Sequence, residues 1–337
     1  MSKRRTLTLA RDPQAMALDI VSYGRRGPSA PNVLSASQVA QVERTVRGAP
    51  EVIVKVSGGG KEVGAVKAHF EYIDRHGKLE IETDDGQLLK GKGAADELLR
   101  DWNLDVAGVK RVGAASLRAP KMVHNIVLSM PAQSPPEKVL KAAQHFAREQ
   151  FALKHRYAMV LHTDTAHPHV HLVVKAKSEE GKRLYIRKAT LRDWREDFAR
   201  ALREQGLEAN ATPRAIRGKA NEQKSNGIFW AMKRGESTHV RDRVATVAEE
   251  LQNRALKVES GKSGVIRTRR EVLQSWQAVN AALIAQGETP VAGRVANYVS
   301  RMPPPMTEKE RLAAGLMKKI TGLRERHAKR QELERGR

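Results

Sequence analysis

The feature that most constrains the fold is a histidine-rich turn between two apolar segments. Residues 157–161 are apolar and read as a strand, and residues 170–174 read as a second strand. The polar residues between them are typical of a short turn. Because side chains two apart on a strand share a face, His169 and His171 are expected to point the same way. Antiparallel pairing of the two strands would bring His162 opposite them, so we predict that three imidazoles converge.

Three neutral imidazoles would leave the full charge on a bound divalent ion. Such an ion is suited to polarising a phosphate oxygen. Asp164, two residues after His162, is placed to hold one imidazole by its second nitrogen. The alternative is a histidine-rich turn of ordinary strand and surface residues, which would be the better interpretation of a single histidine. Three histidines at this spacing between two apolar strands favour a metal site.

Three segments of the chain resemble the motifs of conjugative relaxases, the DNA strand transferases of the HUH class, and most closely those of the MobP branch. Residues 162–171 resemble the third, histidine-rich motif. Residues 69–77 (HFEYIDRHG), near the end of a predicted helix, are similar to the first motif, and Tyr72 takes the place of the nucleophile. Residues 121–131 resemble the second motif, with Ser129 in the place of a serine that contacts DNA beside the nick. The resemblance covers residues 51–212.

The resemblance implies a metal-dependent, site- and strand-specific DNA nickase. Such an enzyme would cut one strand at the transfer origin of a plasmid or integrative element by tyrosine transesterification. It would hold the cut end as a 5′-phosphotyrosyl adduct and later rejoin it. The implied roles are Tyr72 and Asp164 in catalysis, His162, His169 and His171 as ligands of Mg²⁺ or Mn²⁺, and Ser129 in DNA binding.

The charge balance independently indicates a polyanionic partner. The net charge is +23, and residues 213–337 contribute +13 of it (26 basic and 13 acidic side chains). The chain contains no cysteine, which excludes a disulfide framework and a cysteine-ligated zinc site. No apolar run approaches the length of a membrane span, so we expect no membrane insertion and a cytoplasmic bacterial location, with export alongside bound DNA as a further expectation.

The predicted organisation has three parts. Residues 1–50 are expected to form a flexible basic arm with a short helix near residues 37–47, residues 51–212 a relaxase domain, and residues 213–337 a basic helical region that binds DNA or a partner. The predicted fold is α+β, with a mainly antiparallel central sheet, helices on one face of it and an all-α C-terminal region. Residues 183–186 are predicted to add a short strand.

The expected partners are single-stranded DNA at a transfer origin, accessory relaxosome proteins and a coupling protein of a secretion channel. One alternative is an HUH replication initiator or transposase, although in those proteins the histidine motif precedes the tyrosine. Another is a non-catalytic basic nucleic-acid-binding protein whose histidines only fix a loop. Tyr23, which lies in the basic arm, competes with Tyr72 as the nucleophile.

Overall fold

The computed structural model describes residues 33–104, 120–219 and 226–335. These residues form two compact units, one of residues 35–212 and one of residues 33–34 and 213–335. Most of the predicted arm, including Tyr23, lies outside the described residues. The remaining part contains the expected helix, α1 (Ala36–Arg47), which begins at a capping box between Ser35 and Gln38. Residues 35–50 are therefore folded with the first unit rather than with the predicted arm.

A six-stranded, fully antiparallel sheet organises the first unit, with the strand order β1-β4-β6-β5-β2-β3. The strands are β1 Ile53–Gly58, β2 Ile81–Thr83, β3 Leu88–Leu89, β4 Val123–Ser129, β5 Tyr157–His162 and β6 His169–Lys175. The helices that complete the unit are α2 Val63–Ile73, α3 Ala94–Asp101, α4 Pro136–Phe151 and α5 Lys188–Glu204. The predicted α+β fold with a mainly antiparallel sheet is confirmed.

The helices cover both faces of this sheet, so the prediction of helices on one face was wrong. Met159 and Leu172 pack on α4 and α5 in one core cluster, whereas Val160 and Val173 pack on α2 and α3 in the other. The reason is visible in β5, where the successive residues 157–161 form an apolar run. A strand without polar alternation is buried on both faces.

The predicted strand at residues 183–186 is not formed. A single bridge joins Lys177 to Arg183, and two backbone bonds accompany it, from the Leu184 N–H to the Ala176 carbonyl and from the Ser178 N–H to the Lys182 carbonyl. The side chains of Leu184 and Ile186 nevertheless pack on the first core cluster. Their apolar pattern therefore reflects packing of an extended segment rather than a strand of the sheet.

The second unit is helical, as predicted. Its helices are α6 Asn226–Lys233, α7 Thr238–Gln252, α8 Lys262–Ala285, α9 Thr289–Ser300 and α10 Glu308–Arg335. Trp276 is fully buried, and its indole N–H donates to the carbonyl of Ile216 at 2.9 Å. Among the described residues, no helix combines the length and hydropathy that a bilayer crossing requires.

Candidate metal centre and nucleophile

Three imidazoles converge at the start of β6. In the sheet, His162 lies directly opposite His169 and Val160 lies opposite His171, so the three rings share the face covered by α2 and α3. The ring centroids of His162 and His171 are 4.5 Å apart, and each is 5.1 Å from that of His169. One ring nitrogen from each histidine lies within 4.8 Å of the other two. The convergence expected from the two-residue strand period is present.

Backbone carbonyls orient two of these rings. His162 Nε2 lies 2.6 Å from the carbonyl oxygen of Ile73, and His169 Nδ1 lies 3.0 Å from that of His167. Because a carbonyl oxygen only accepts hydrogen bonds, each of these nitrogens must carry the proton. The lone pairs left for a cation are therefore on Nδ1 of His162 and Nε2 of His169. The sequence had assigned this orienting contact to Asp164, but main-chain groups make it instead.

Two of the imidazoles, those of His162 and His171, favour the neutral form that a metal requires. Burial, together with the neighbouring His162 and His169, lowers the pKa of His171 to about 3. Burial also lowers the pKa of His162, partly offset by its bond to the Ile73 carbonyl. Nδ1 of His171 is buried without a hydrogen-bond partner, as expected of a nitrogen reserved for a cation.

The three residues fit a divalent metal with open coordination positions. Three neutral nitrogen ligands leave room for water or phosphate oxygens and leave the positive charge of the ion uncompensated. Among the described residues, this is the one group of three or more histidine or carboxylate side chains close enough to share an ion. No carboxylate belongs to the group, which favours an anionic ligand from outside the protein.

Tyr72 lies beside the imidazoles, on the last turn of α2. Its ring centroid is 6.3 Å from that of His171, with the two planes nearly perpendicular. The side chain is 57% exposed, so its hydroxyl is accessible to a macromolecular substrate. The ring of Tyr185 is also exposed, but its segment pairs beyond the opposite end of β6, at Ala176. The structure thus brings Tyr72, and not Tyr185, next to the histidines.

Two further side chains of the same helix end belong to this site. His69 lies one turn before Tyr72, stacked at 6.3 Å from its ring and 6.2 Å from that of His171. Burial lowers the pKa of His69, and its Nε2 has no hydrogen-bond partner. Arg75 also lies over the ring of Tyr72, with its guanidinium carbon 5.2 Å from the ring centroid. The signal in the sequence was the spacing of three between His69 and Tyr72, which places both on one side of the helix, whereas Arg75 lies just beyond the helix end.

Asp164 enters the site through Arg75. Its carboxylate accepts a hydrogen bond from the Arg75 guanidinium at 2.5 Å, and this contact holds the pKa of Asp164 below its usual range. The same Nη2 atom of Arg75 lies 3.1 Å from Nδ1 of His162. Asp164 is half exposed, so it remains accessible to solvent while paired. The contacts of Asp164 therefore point to the arginine rather than to an imidazole.

Ser129 lies at the edge of the site, directly opposite His169 across the β4–β6 pair. Its hydroxyl is buried and donates to the carbonyl of Pro168 at 3.2 Å. The amide of Met130 donates to the same carbonyl. Ser129 thus fixes the residue immediately before His169, and a DNA contact by this side chain stays a prediction.

Comparison with known proteins bears on this arrangement. Residues 76–207 match the family model described as relaxase, MobA/VirD2-like, nuclease domain. The matched segment contains His162, His169, His171, Asp164 and Ser129, and it begins shortly after Tyr72. These residues are similar to a relaxase nuclease domain.

Individual relatives agree with this. The chain is 26% identical over 182 residues to the T-DNA border endonuclease VirD2 of Rhizobium radiobacter, covering 50% of this chain and 43% of that protein. It is 25% identical over 136 residues to the VirD2 of Agrobacterium fabrum, covering 38% and 30%. The chain thus spans less than half the length of these relatives. A structural comparison pairs it with the Mn-bound MobM relaxase domain on plasmid pMV158 oriT DNA (TM-score 0.36, 14% identity, 54% of this chain and 98% of that one).

Proposed function

We propose that this protein is a relaxase of the MobP-like branch that nicks one DNA strand at a transfer origin and holds the cut end covalently. The observation that carries the proposal is the position of the Tyr72 ring beside His171, on the face where three imidazoles meet. A phenol next to a cation site is the combination that phosphodiester transesterification requires. The similarity of residues 76–207 to relaxase nuclease domains supports the same assignment.

The proposed reaction exchanges one phosphodiester bond for another. The hydroxyl oxygen of Tyr72 forms a bond to the scissile phosphorus and gives up its proton. The bond from phosphorus to the 3′-oxygen of the preceding nucleotide breaks, and that oxygen takes up a proton to become a free 3′-hydroxyl. Because the phosphate stays esterified to Tyr72, the reverse reaction rejoins the strand and no nucleotide cofactor is needed.

His162, His169 and His171 would hold the divalent ion. When bound, that ion would neutralise charge on the scissile phosphate. Mn²⁺ fits these nitrogen ligands better than Mg²⁺, which prefers oxygen ligands and retains its water. The protein side chains contribute the remaining functions. Tyr72 presents the nucleophilic oxygen, and the ion pair between Asp164 and Arg75 lies next to the Tyr72 ring.

The substrate and partners belong to the same proposal. The substrate is single-stranded DNA from a transfer origin, with Ser129 near the bound strand and the basic second unit adding contacts to phosphates. Accessory relaxosome proteins and a coupling protein of a secretion channel would complete the assembly. The protein would act in the bacterial cytoplasm and leave the cell with its bound DNA.

Adduct formation tests the proposal directly. The protein would be incubated with Mn²⁺ and a labelled pool of single-stranded oligonucleotides whose central segment is randomised, then denatured in detergent and separated by electrophoresis. We expect a labelled band at the mass of protein plus DNA, absent after chelation of the metal. Salt-sensitive binding of the same pool without any covalent band would contradict the relaxase assignment and leave a non-catalytic nucleic-acid-binding protein.

A further inference from the structure

Arg75 makes four contacts that tie the nucleophile to the metal site. Its guanidinium lies over the ring of Tyr72, and Nη1 donates to the Tyr72 carbonyl at 3.0 Å. Nη2 donates to Asp164 at 2.5 Å and lies 3.1 Å from Nδ1 of His162. No other side chain among the described residues makes recorded polar contacts with both Asp164 and His162. Arg75 therefore links Tyr72, three residues before it, to His162 and Asp164 from a distant part of the chain.

The backbone at the end of α2 directs Arg75 into this position. Arg75 and His76 both have φ near +57°, a conformation that residues other than glycine rarely adopt, and Gly77 follows at +84°. A side chain at residue 77 would collide with the backbone of Gly91, so the chain is held tightly there. The left-handed run turns the chain back at once, and it keeps the Arg75 side chain against the helix end that carries Tyr72.

The contact with His162 places Arg75 in competition with a cation. Nε2 of His162 carries the proton because it donates to the Ile73 carbonyl, so Nδ1 holds the one lone pair that the ring can give to a metal. Arg75 currently donates to that lone pair. A metal on Nδ1 would require the guanidinium to release His162, and the positive charge of Arg75 would oppose binding of the ion. The hydrogen bond from Arg75 to Asp164 does not have to break when the metal binds.

We propose that Arg75 is a positioning residue for Tyr72 and that it competes with the divalent ion for Nδ1 of His162. The hydrogen bond to Asp164 keeps the Arg75 guanidinium in the site during this competition. This proposal rests on the proposed relaxase function. Asp164 acts through Arg75, and the N–H group that leaves His162 becomes available to an oxygen of the DNA phosphate. Arg75 thus links occupation of the metal site to the presence of a donor for the phosphate.

Two measurements on Arg75→Ala test the two roles separately. Calorimetric titration of the DNA-free protein with Mn²⁺ should show about tenfold tighter binding than in the wild type, because a nearby positive charge and a competing donor are gone. Adduct formation at saturating Mn²⁺ and oligonucleotide should be about 100-fold slower, because Tyr72 loses the group that positions it. A general loss of structure would weaken both properties, so tighter metal binding with slower chemistry is specific to the proposal.

Further variants sharpen the result. Arg75→Lys keeps the charge but loses the planar fork, so its rate should lie between wild type and Arg75→Ala. Asp164→Asn combined with Arg75→Ala should be no slower than Arg75→Ala alone, because Asp164 acts through the arginine. Guanidinium chloride at millimolar concentration should restore part of the rate of Arg75→Ala. Arg200→Ala, which removes an equal charge from a surface ion pair on α5, is the control and should match wild type.

Unchanged or weaker Mn²⁺ binding in Arg75→Ala would overturn the competition for His162. An unchanged adduct rate would overturn the positioning of Tyr72. If the wild-type protein forms no adduct, the proposed function itself fails, and the calorimetric measurement still decides whether Arg75 opposes the metal. If the fold reductions in adduct rate caused by Asp164→Asn and by Arg75→Ala multiply in the double variant, Asp164 acts independently of Arg75.

Discussion

The phenol of Tyr72 and the imidazole of His171 lie 6.3 Å apart, centroid to centroid, with their planes at 88°. One ring comes from the last turn of a helix and the other from a central strand of the sheet. Their proximity depends on α2 packing across β6, with Phe70 of that helix buried in the same core cluster as Val173. The fold thereby places an exposed phenol beside the three imidazoles.

Tyr72→Phe removes the hydroxyl that would attack the phosphate and leaves the ring in place. We expect this variant to bind single-stranded DNA within about twofold of wild type and to form no covalent adduct. Electrophoresis under denaturing conditions measures the adduct, and fluorescence anisotropy measures binding. Tyr185→Phe, at the exposed tyrosine beyond the other end of β6, is the matched control and should retain full activity. An adduct formed by Tyr72→Phe would exclude Tyr72 as the nucleophile.

His171→Ala removes one of the three proposed metal ligands. We expect Mn²⁺ affinity to fall by at least about 100-fold and metal-dependent cleavage to fall with it, while DNA binding stays salt-sensitive. His145→Ala is a matched control, because His145 lies on the surface of α4, 3.6 Å from Glu149 of the same helix and 2.9 Å from Glu204 of α5. Isothermal titration calorimetry would measure the Mn²⁺ affinity of both variants. Retention of wild-type Mn²⁺ affinity by His171→Ala would exclude the proposed metal centre.

Much of the site could be predicted from local patterns. The two-residue period of β6 places His169 and His171 on one face, and the turn signals placed His162 opposite them. The helix carrying Tyr72 was expected from its apolar stripe of Val66, Phe70 and Ile73, all of which are buried. These inferences succeeded because each depends on spacing within one segment.

Other features depend on contacts between segments and escaped prediction. The role predicted for Asp164 was based on its position two residues after His162. Its partner in the structure is instead Arg75, which lies 89 residues earlier in the chain. The left-handed backbone conformation of Arg75 and His76 creates that contact. It could not be predicted from the sequence, because neither residue is a glycine. The packing of helices on both faces likewise depends on how the whole sheet is covered.

The depressed pKa of His171 predicts a pH-dependent stability of the metal-free protein. Its pKa of about 3 in the folded state lies below the ordinary value of 6.5. The unfolded chain therefore binds more protons below pH 6.5, and the free energy of unfolding falls as the pH falls toward 3. The contribution of one such group is at most about 1.4 kcal/mol per pH unit, and solvent screening reduces it.

We expect the metal-free wild type to lose several degrees of Tm between pH 7 and pH 5, and His171→Asn to lose less over the same range. Differential scanning calorimetry in the presence of a chelator would measure both. A steeper loss in His171→Asn than in wild type would contradict the assignment of a buried neutral imidazole at this position.

Ser129→Ala tests whether this residue acts on the turn or on the DNA. Loss of the bond to the Pro168 carbonyl should cost about 1 kcal/mol of unfolding free energy. If Ser129 also contacts the bound strand, the affinity for DNA should fall by about fivefold, in keeping with one lost hydrogen bond. Chemical denaturation and anisotropy measure the two quantities, with Ser134→Ala as a control that loses a hydroxyl bond to Pro131 away from the histidines. Wild-type values in both assays would exclude both roles.

The basic second unit should contribute phosphate contacts. Lys318, Lys319 and Arg324 are exposed on α10, so replacing all three with glutamine should not affect folding. We expect the dependence of the logarithm of DNA affinity on the logarithm of salt concentration to become shallower by about 2, since each contact with single-stranded DNA contributes about 0.7. An unchanged slope would show that this helix does not grip DNA and would favour a partner-binding role.

The most direct test of the account is the identity of the amino acid that carries the DNA. The adduct formed with Mn²⁺ and single-stranded DNA would be digested with nuclease and protease, and the modified peptide sequenced by mass spectrometry. The account predicts a nucleotide joined through its 5′-phosphate to Tyr72. Attachment to another residue, or through a 3′-phosphate, would contradict it.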